Sequence, residues 1–444
     1  MGASRRSKRA RTWVCTLVIG VAALPAAATA QPVSPTTARD GALDARFGVG
    51  GLVTTDFGAP FGEEANAVVV QRDGKLLAAG SANQENGGDI ALALYRRDGR
   101  LDQSFGSDGR VTTSWSADSS DYLLDLLIQR DGRLVGAGRI ATPEGEGHPD
   151  FAVVRYNADG TLDTSFGSGG IARTDLSGGG YDVAAAVVAQ PDGKIVVAGV
   201  SAAYSTVGLD FALARYDSHG RLDPGFGDGG VVRTAISTVQ DDFAEALVLQ
   251  PDGKLVAGGV SLGTGFALAR YLPDGSLDAG FGSGGIVTTP GTDWIHDLAL
   301  QPDGKLVAAG SIVDDPYLDF AVARYRSDGT LDSRFGTDGI ARIDFLGGRD
   351  VANAVALLRD GRIVAAGGAE SPATGIAVFA LARYRSDGTL DPRFGTGGRL
   401  TTDFGGTSYA SDLAVQRDGR LAAAGVAAPG PSISFGDFAL ARYR

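Results

Sequence analysis

The sequence predicts an all-β ring: a seven-bladed β-propeller of four-stranded antiparallel blades, with the N-terminal strand completing the last blade. Three observations carry this. Three signatures recur in fixed order, each seven times, at a period of about 58 residues. Each repeat holds four short apolar or alternating runs separated by turn residues, and none has the apolar period of a long helix. The first of these runs, GLVTTDF (51–57), has no partners of its own near the N-terminus, whereas the last repeat stops one strand short at DFALARY (437–443).

The signatures make each element of the blade readable. The first is a Gln-Pro/Arg-Asp-Gly-Lys/Arg turn, with its Asp at 73, 131, 192, 252, 303, 360 and 418. Asp and Gly accept the backbone conformations of a tight hairpin, so this turn joins the innermost strand, A, to strand B. In the third repeat the two strands read AAAVVAQ (184–190) and KIVVAGV (194–200). The second signature, DFALARY-like, ends at Tyr95, Tyr156, Tyr216, Tyr271, Tyr325, Tyr384 and Tyr443 and is strand C. The third, DGxLDxxFGxxG, places Phe47, Phe105, Phe166, Phe226, Phe281, Phe335 and Phe394 in the linker to strand D, read as VVRTAIS (231–237) in the third repeat. Closing the ring between the two chain ends also covers the sheet edges that would otherwise pair with other chains. An open β-solenoid is the competing architecture, but solenoids use shorter units and need caps.

Composition agrees. Gly is 67 of 444 residues and aromatics are 8%, yet 43% of the chain is apolar, which is a turn-rich fold with a core and not a disordered one. Residues 1–30 read as a cleaved signal peptide: five basic residues up to Arg11, an apolar run from Trp13, and Ala28-Thr29-Ala30 before Gln31. The Arg5-Arg6 pair hints weakly at twin-arginine export. Residues 31–37 read as a short linker and 38–444 as one propeller domain. The single cysteine, Cys15, leaves with the leader, so no disulfide is expected. The exported chain would carry a net charge of (40 − 5) − 52 = −17. That charge argues against nucleic acid and anionic lipid as partners, and no later segment is long and apolar enough to span a membrane. A monomer is expected.

The segments RSDGTLDxRFGTxG, QPDGKLVAAG and DFAVARY resemble the bacterial delta-60 repeat family and, more distantly, NHL-type propellers. The resemblance covers about residues 38–444. It implies a secreted propeller-like protein. That family carries no settled activity, so no site residues come with it.

Residues repeated in every blade read as architecture. The strand C arginines (Arg155, Arg215, Arg270, Arg324, Arg383, Arg442) are expected to pair with the linker aspartates (Asp102, Asp163, Asp223, Asp278, Asp332, Asp391); the first blade has Leu94 in the arginine position. The linker phenylalanines are expected to wedge between blades, and the turn aspartates to serve the turns themselves rather than calcium.

One repeated position admits two readings. Glu63, Asp121, Asp182, Asp242, Asp293 and Asp350 stand at the start of strand A, with Ser408 in the seventh blade. Each could cap its own D–A turn by accepting backbone N–H bonds, or together they could form an acidic collar at the channel mouth that holds a divalent cation such as calcium.

Function is expected on the face that carries the B–C and D–A loops, because those loops differ between repeats while the opposite face is nearly constant. Candidate binding residues there are Trp115, Tyr122, Tyr181, Tyr204, Trp294, His296, Tyr317 and Tyr409, whose rings suit protein or glycan contact. Catalysis has little support. His148, His219 and His296 fall at unlike positions and form no zinc pattern, and GVSLG (259–263) lacks the strand-to-helix setting of a nucleophile elbow. No catalytic residue and no required cofactor is assigned. The leading reading is a secreted, non-catalytic binding scaffold. The alternative is a metal-assisted hydrolase or lyase at the channel mouth near His296, as the NHL-type resemblance implies.

Overall fold

The computed structural model describes residues 40–444 apart from 85–86, 116–119, 142–147, 203–207, 315 and 431. The leader, the 31–37 linker and Tyr204 lie outside the described residues. Seven four-stranded antiparallel sheets form the ring, six of them built from four consecutive strands. The seventh combines the last three strands with Leu52–Thr55, which pairs with the C-terminal strand from Leu52↔Ala441 to Thr55↔Phe438. The closure expected from the two unpartnered end strands is therefore present.

Blade three shows the plan: strand A is Tyr181–Ala189, B is Ile195–Ala202, C is Asp210–Tyr216 and D is Val231–Thr234. Strand D is shorter than its sequence run suggests, ending at Thr234 instead of continuing to residue 237. The cause is local: the next backbone N–H groups, at Ile236 and Ser237, turn away to the carboxylate of Asp242 at the start of the following strand A. Every strand A also carries a bulge, in blade three at Ala185. Strand B answers it with a glycine, since a Cβ on Gly199 would stand 1.9 Å from the carbonyl oxygen of Val183.

Among the described residues no single central core is formed. Apolar side chains gather instead in clusters between neighbouring blades, and all seven linker phenylalanines are fully buried there. The strand C arginine organises each wedge. Arg215 Nε donates to Asp223 at 2.8 Å, its guanidinium lies 4.6 Å from the ring centre of Phe226, and its Nη1 donates to the carbonyl of Pro273 in the next blade at 2.5 Å. Arg155, Arg270, Arg324 and Arg442 repeat the three contacts. Arg383 departs at the closure, where it pairs with the Asp40 carboxylate at 2.6 Å. A second cation from the A–B turn completes the set, as in Lys194–Asp223 at 3.0 Å. In blade one, where Leu94 replaces the arginine, Lys75 holds Asp102 at 2.8 Å and Arg96 adds a looser contact at 3.6 Å.

A second inter-blade bond links the strand C tyrosine to a strand D threonine of the preceding blade: Tyr95–Thr55, Tyr156–Thr113, Tyr216–Thr174, Tyr271–Thr234, Tyr325–Thr289 and Tyr443–Thr402, at 2.7 to 3.0 Å. Blade six breaks the series. Ile343 occupies the threonine position, and the buried Tyr384 hydroxyl has no partner. Removing a paired buried hydroxyl costs about 1 kcal/mol, whereas removing an unpaired one is neutral or favourable. Tyr325→Phe is therefore expected to destabilise the ring by about 1 kcal/mol and Tyr384→Phe not at all. Urea unfolding of the two variants checks this, and equal losses would contradict the unpaired assignment.

Candidate functional site

The strand A carboxylates act on the chain crossing from one blade to the next. Glu63 accepts from Phe57 N–H on both oxygens (2.7 and 2.8 Å) and from Ala59 (3.0 Å). Asp121 accepts from Trp115 (2.8 Å), Asp182 from Leu176 and Ser177 (2.8 and 3.1 Å), Asp242 from Ile236 and Ser237 (2.7 and 2.8 Å), and Asp350 from Phe345 (2.5 Å). All five are buried. The fifth blade differs: Asp293 accepts from the Ser311 hydroxyl at 3.0 Å, and Thr292, whose hydroxyl donates to the Thr289 carbonyl, accepts the strand C N–H of Phe266 at 2.7 Å. These five buried carboxylates thus serve their own junctions in the geometry of a turn cap, whereas Asp293 accepts from strand B instead and the Ser408 hydroxyl of blade seven has no partner.

The channel is bordered by other groups. Adjacent A strands contact one another around the ring, and the bulge residues Asn66, Leu124, Ala185, Glu245, His296, Asn353 and Ser411 stand half-buried along it. Asn66 Nδ2 and Asn353 Nδ2 donate across to the carbonyls of Leu123 and Ala410 in the next blade. Glu245 and His296 meet across blades four and five, Oε2 to Nδ1 at 2.6 Å. The Trp294 ring stacks parallel to His296 with centroids 6.2 Å apart and touches Phe243 at 5.1 Å; its buried indole N–H has no partner. Glu64 accepts from the Tyr409 hydroxyl at 2.9 Å.

Three further aspartates occupy one equivalent position next to the bulge in blades two, five and seven. Asp125, Asp297 and Asp412 each accept the N–H of the following residue (2.7, 2.7 and 2.6 Å) and one from strand A of the next blade, at Val187, Val355 and Val68. Burial pushes the Asp125 carboxyl up to about 7, the charge of Asp412 adding to it against the two N–H donors. Burial likewise raises Asp297 well above its usual range, with Asp412 and Asp125 adding. Asp297 drew notice in the sequence only as a neighbour of His296, and nothing marked Asp125, Asp412 or Glu245: the repeat has Ala at the aspartate position in the other four blades.

Of the aromatic candidates, Trp115, Tyr122, Tyr181, Trp294 and Tyr409 are half-buried and Tyr317 is exposed. Trp115 packs against an inter-blade cluster, and Tyr122 receives the Arg139 guanidinium 4.6 Å from its ring centre. The structure adds residues with no tyrosine or tryptophan signal. Among the described residues, the exposed large apolar side chains are Val49, Phe61, Val239, Val313, Tyr317, Leu346 and Phe435. All but Val49 stand on B–C or D–A segments, hence on one face.

The chain matches the model of a β-propeller domain of unknown function, DUF5122, at residues 71–105, 129–166, 190–226, 250–281, 301–335 and 358–394. Each segment runs from an A–B turn to the linker phenylalanine. No curated protein matches the sequence. Solved structures with a similar fold include Sqt1 of Chaetomium thermophilum bound to the N-terminus of ribosomal protein L10 (13% identity, covering 87% of this chain and 98% of that one, TM-score 0.47). Drosophila semaphorin 1b (9%, 92% and 87%, TM-score 0.41) and the polysaccharide lyase Uly1 (11%, 87% and 90%, TM-score 0.43) are also similar.

The channel aspartates generate a pH signature. Their folded values lie above the ordinary 3.8, so the ring holds protons that the unfolded chain releases. The associated stability is complete below about pH 4 and is lost as pH rises through about 7. The unfolding midpoint is expected to fall between about pH 4 and 7, the window these shifts define, and Asp412→Asn should make the decline shallower by removing a like charge. Thermal unfolding across that range provides the check; a flat profile would mean that these carboxylates ionise in the usual range.

Proposed function

We propose that this chain, whose repeats belong to a β-propeller repeat family and resemble the delta-60 type, is an exported binding scaffold that engages a protein or glycan through its B–C and D–A loop face. The observation that carries the reading is the one-sided display of apolar side chains: Phe61, Val239, Val313, Tyr317, Leu346 and Phe435 on this face, against Val49 on the other. Single exposed apolar residues are ordinary, but their concentration on the face whose loops vary is what a recognition surface requires. The opposite face is spent on the arginine–aspartate–phenylalanine wedges and their turn lysines, which leaves its loops little freedom to differ. Export rests on the basic and apolar leader of residues 1–30.

A second reading, acid–base chemistry on a ligand at the channel mouth, is favoured by the 2.6 Å pairing of Glu245 with His296 beneath Trp294. A carboxylate that orients an imidazole is a general-base arrangement. It predicts turnover, not only binding, of a ligand that reaches the channel.

The two readings separate in one set of measurements. Panels of envelope glycans and exported proteins are screened for binding with the parent chain, with Tyr317→Ser and Phe435→Ser, and with Val49→Ser as the control on the other face. The scaffold reading expects binding to weaken at least about tenfold in the first two variants, with unchanged unfolding midpoints, and to survive in the third. Binding that Val49→Ser abolishes instead would place the partner on the wrong face. Product formation lost on His296→Gln would favour the catalytic reading.

A further inference from the structure

The face that carries the A–B turns and C–D linkers has its wedges balanced in charge, so its remaining field is set by residues outside them. One such residue follows the position that ends strand A. It is Pro191, Pro251 and Pro302 in blades three, four and five, and Arg359, Arg417, Arg72 and Arg130 in blades six, seven, one and two. The turn is closed by the glycine N–H two residues on, as in Gly74 to the Gln71 carbonyl. A turn of this kind favours proline at its second place and accepts most residues, so it gives no reason for an arginine. Those four blades are consecutive in the closed ring, which makes the four exposed arginines an unbroken arc on the inner rim. Neighbouring members are within reach: Arg72 Nη2 donates to the Arg130 carbonyl at 3.2 Å.

A second repeat position shows the same bias. The residue before the linker phenylalanine is Arg334, Arg393 and Arg46 in blades five, six and seven, but serine or glycine in blades one to four. Basic side chains therefore collect on one side of one face, in a chain whose net charge is −12. Between blades six and seven the surface falls into a cleft of about 210 Å³, lined by Arg359 and Arg417 together with Asp40, Asp360 and Gln416. Two more lining arginines are already held, Arg362 by Asp360 and Asp391 and Arg383 by Asp40 and Asp391. Among the described residues Arg359 and Arg417 have no carboxylate partner. A second hollow starts at Asp40 and reaches Arg393, so the depression continues from the inner arc toward the linker arginines.

We propose that this arc and its cleft bind an acidic glycan through the carboxylates of its uronate rings. The lining asks for two things at once: anionic oxygens for Arg359 and Arg417, and O–H donors for Asp40 and Asp360. A uronate ring carries both in one rigid unit. Polyphosphate has no donor for those aspartates, and nucleic-acid bases find no aromatic side chain to stack on among the described lining residues. An acidic peptide holds its carboxylates on flexible stems with few donors beside them. The assignment is independent of the binding-scaffold reading, which concerns the other face.

Calorimetric titration with hexagalacturonate at low salt, where screening is weak, tests it. The parent is expected to bind this probe and to ignore its neutral methyl ester. Arg359→Gln with Arg417→Gln should weaken binding at least about tenfold, since two charge-assisted contacts are lost. Arg72→Gln with Arg130→Gln should weaken it by a smaller factor. Arg221→Gln, on the same face in blade three, and Tyr317→Ser, on the other face, should leave it unchanged. The substituted side chains are exposed and outside the wedges, so every variant should unfold at the parent's midpoint. No binding of hexagalacturonate, an equal loss on Arg221→Gln, or tighter binding of polyphosphate or polyglutamate of matched charge would overturn the assignment.

Discussion

The ring depends on the strand C arginine. A propeller has no central core to bury, so its blades must be fixed to one another edge by edge, and the guanidinium does this with three kinds of contact at once. It neutralises a buried aspartate, covers the face of a buried phenylalanine, and donates to a carbonyl of the next blade. A planar, permanently charged group with five donors can meet all three demands; a lysine could not lie flat on the ring while reaching in two other directions. The turn lysine that the aspartate also receives is paired in turn with Asp192, so two carboxylates balance two cations at the wedge and little charge is left to attract a ligand. Blade one shows what remains without the arginine: a lysine–aspartate contact with a looser second arginine, and no cation over its phenylalanine.

That arrangement divides the molecule into a locked face and a free one. The A–B turns and C–D linkers are bound into the wedges, and their sequences scarcely vary between repeats. The B–C and D–A loops need only return the chain to the next strand. Five of the seven crossings share a carboxylate cap at the start of strand A; blades five and seven do without one. Everything else in those loops can change without disturbing a blade.

The same division explains how much of the structure was legible. Seven blades, the closure strand, the buried phenylalanines and the arginine–aspartate pairs could be read because each recurs at a constant offset, such as the eight residues between Arg215 and Asp223. The capping geometry of Asp182 and Asp242 was one of two readings, and separating them required the position of the crossing backbone. The bulge of strand A was hidden, since its residue is Asn, Leu, Ala, Glu, His or Ser and only the glycine opposite it repeats. Glu245 was invisible for a related reason: it is defined by His296 in another blade, and no spacing within one repeat connects them. Phe61 and Phe435 were not singled out at all, because only the path of their loops leaves them outside the fold.

The closure strand has a consequence for how the chain acquires its shape. Leu52–Thr55 is made first and its partner Asp437–Tyr443 last, so the contact that turns an arc of blades into a ring is also the one most distant along the chain. Closing so long a loop is entropically unfavourable until the intervening blades have shortened the gap. The two strands must therefore meet late, after Asp437–Tyr443 has been synthesised, and until then both offer open edges to any other chain at hand. A product cut short before Asp437 would lose more than one strand. It would leave the first strand without a sheet, and the circle would become a spring with two adhesive ends.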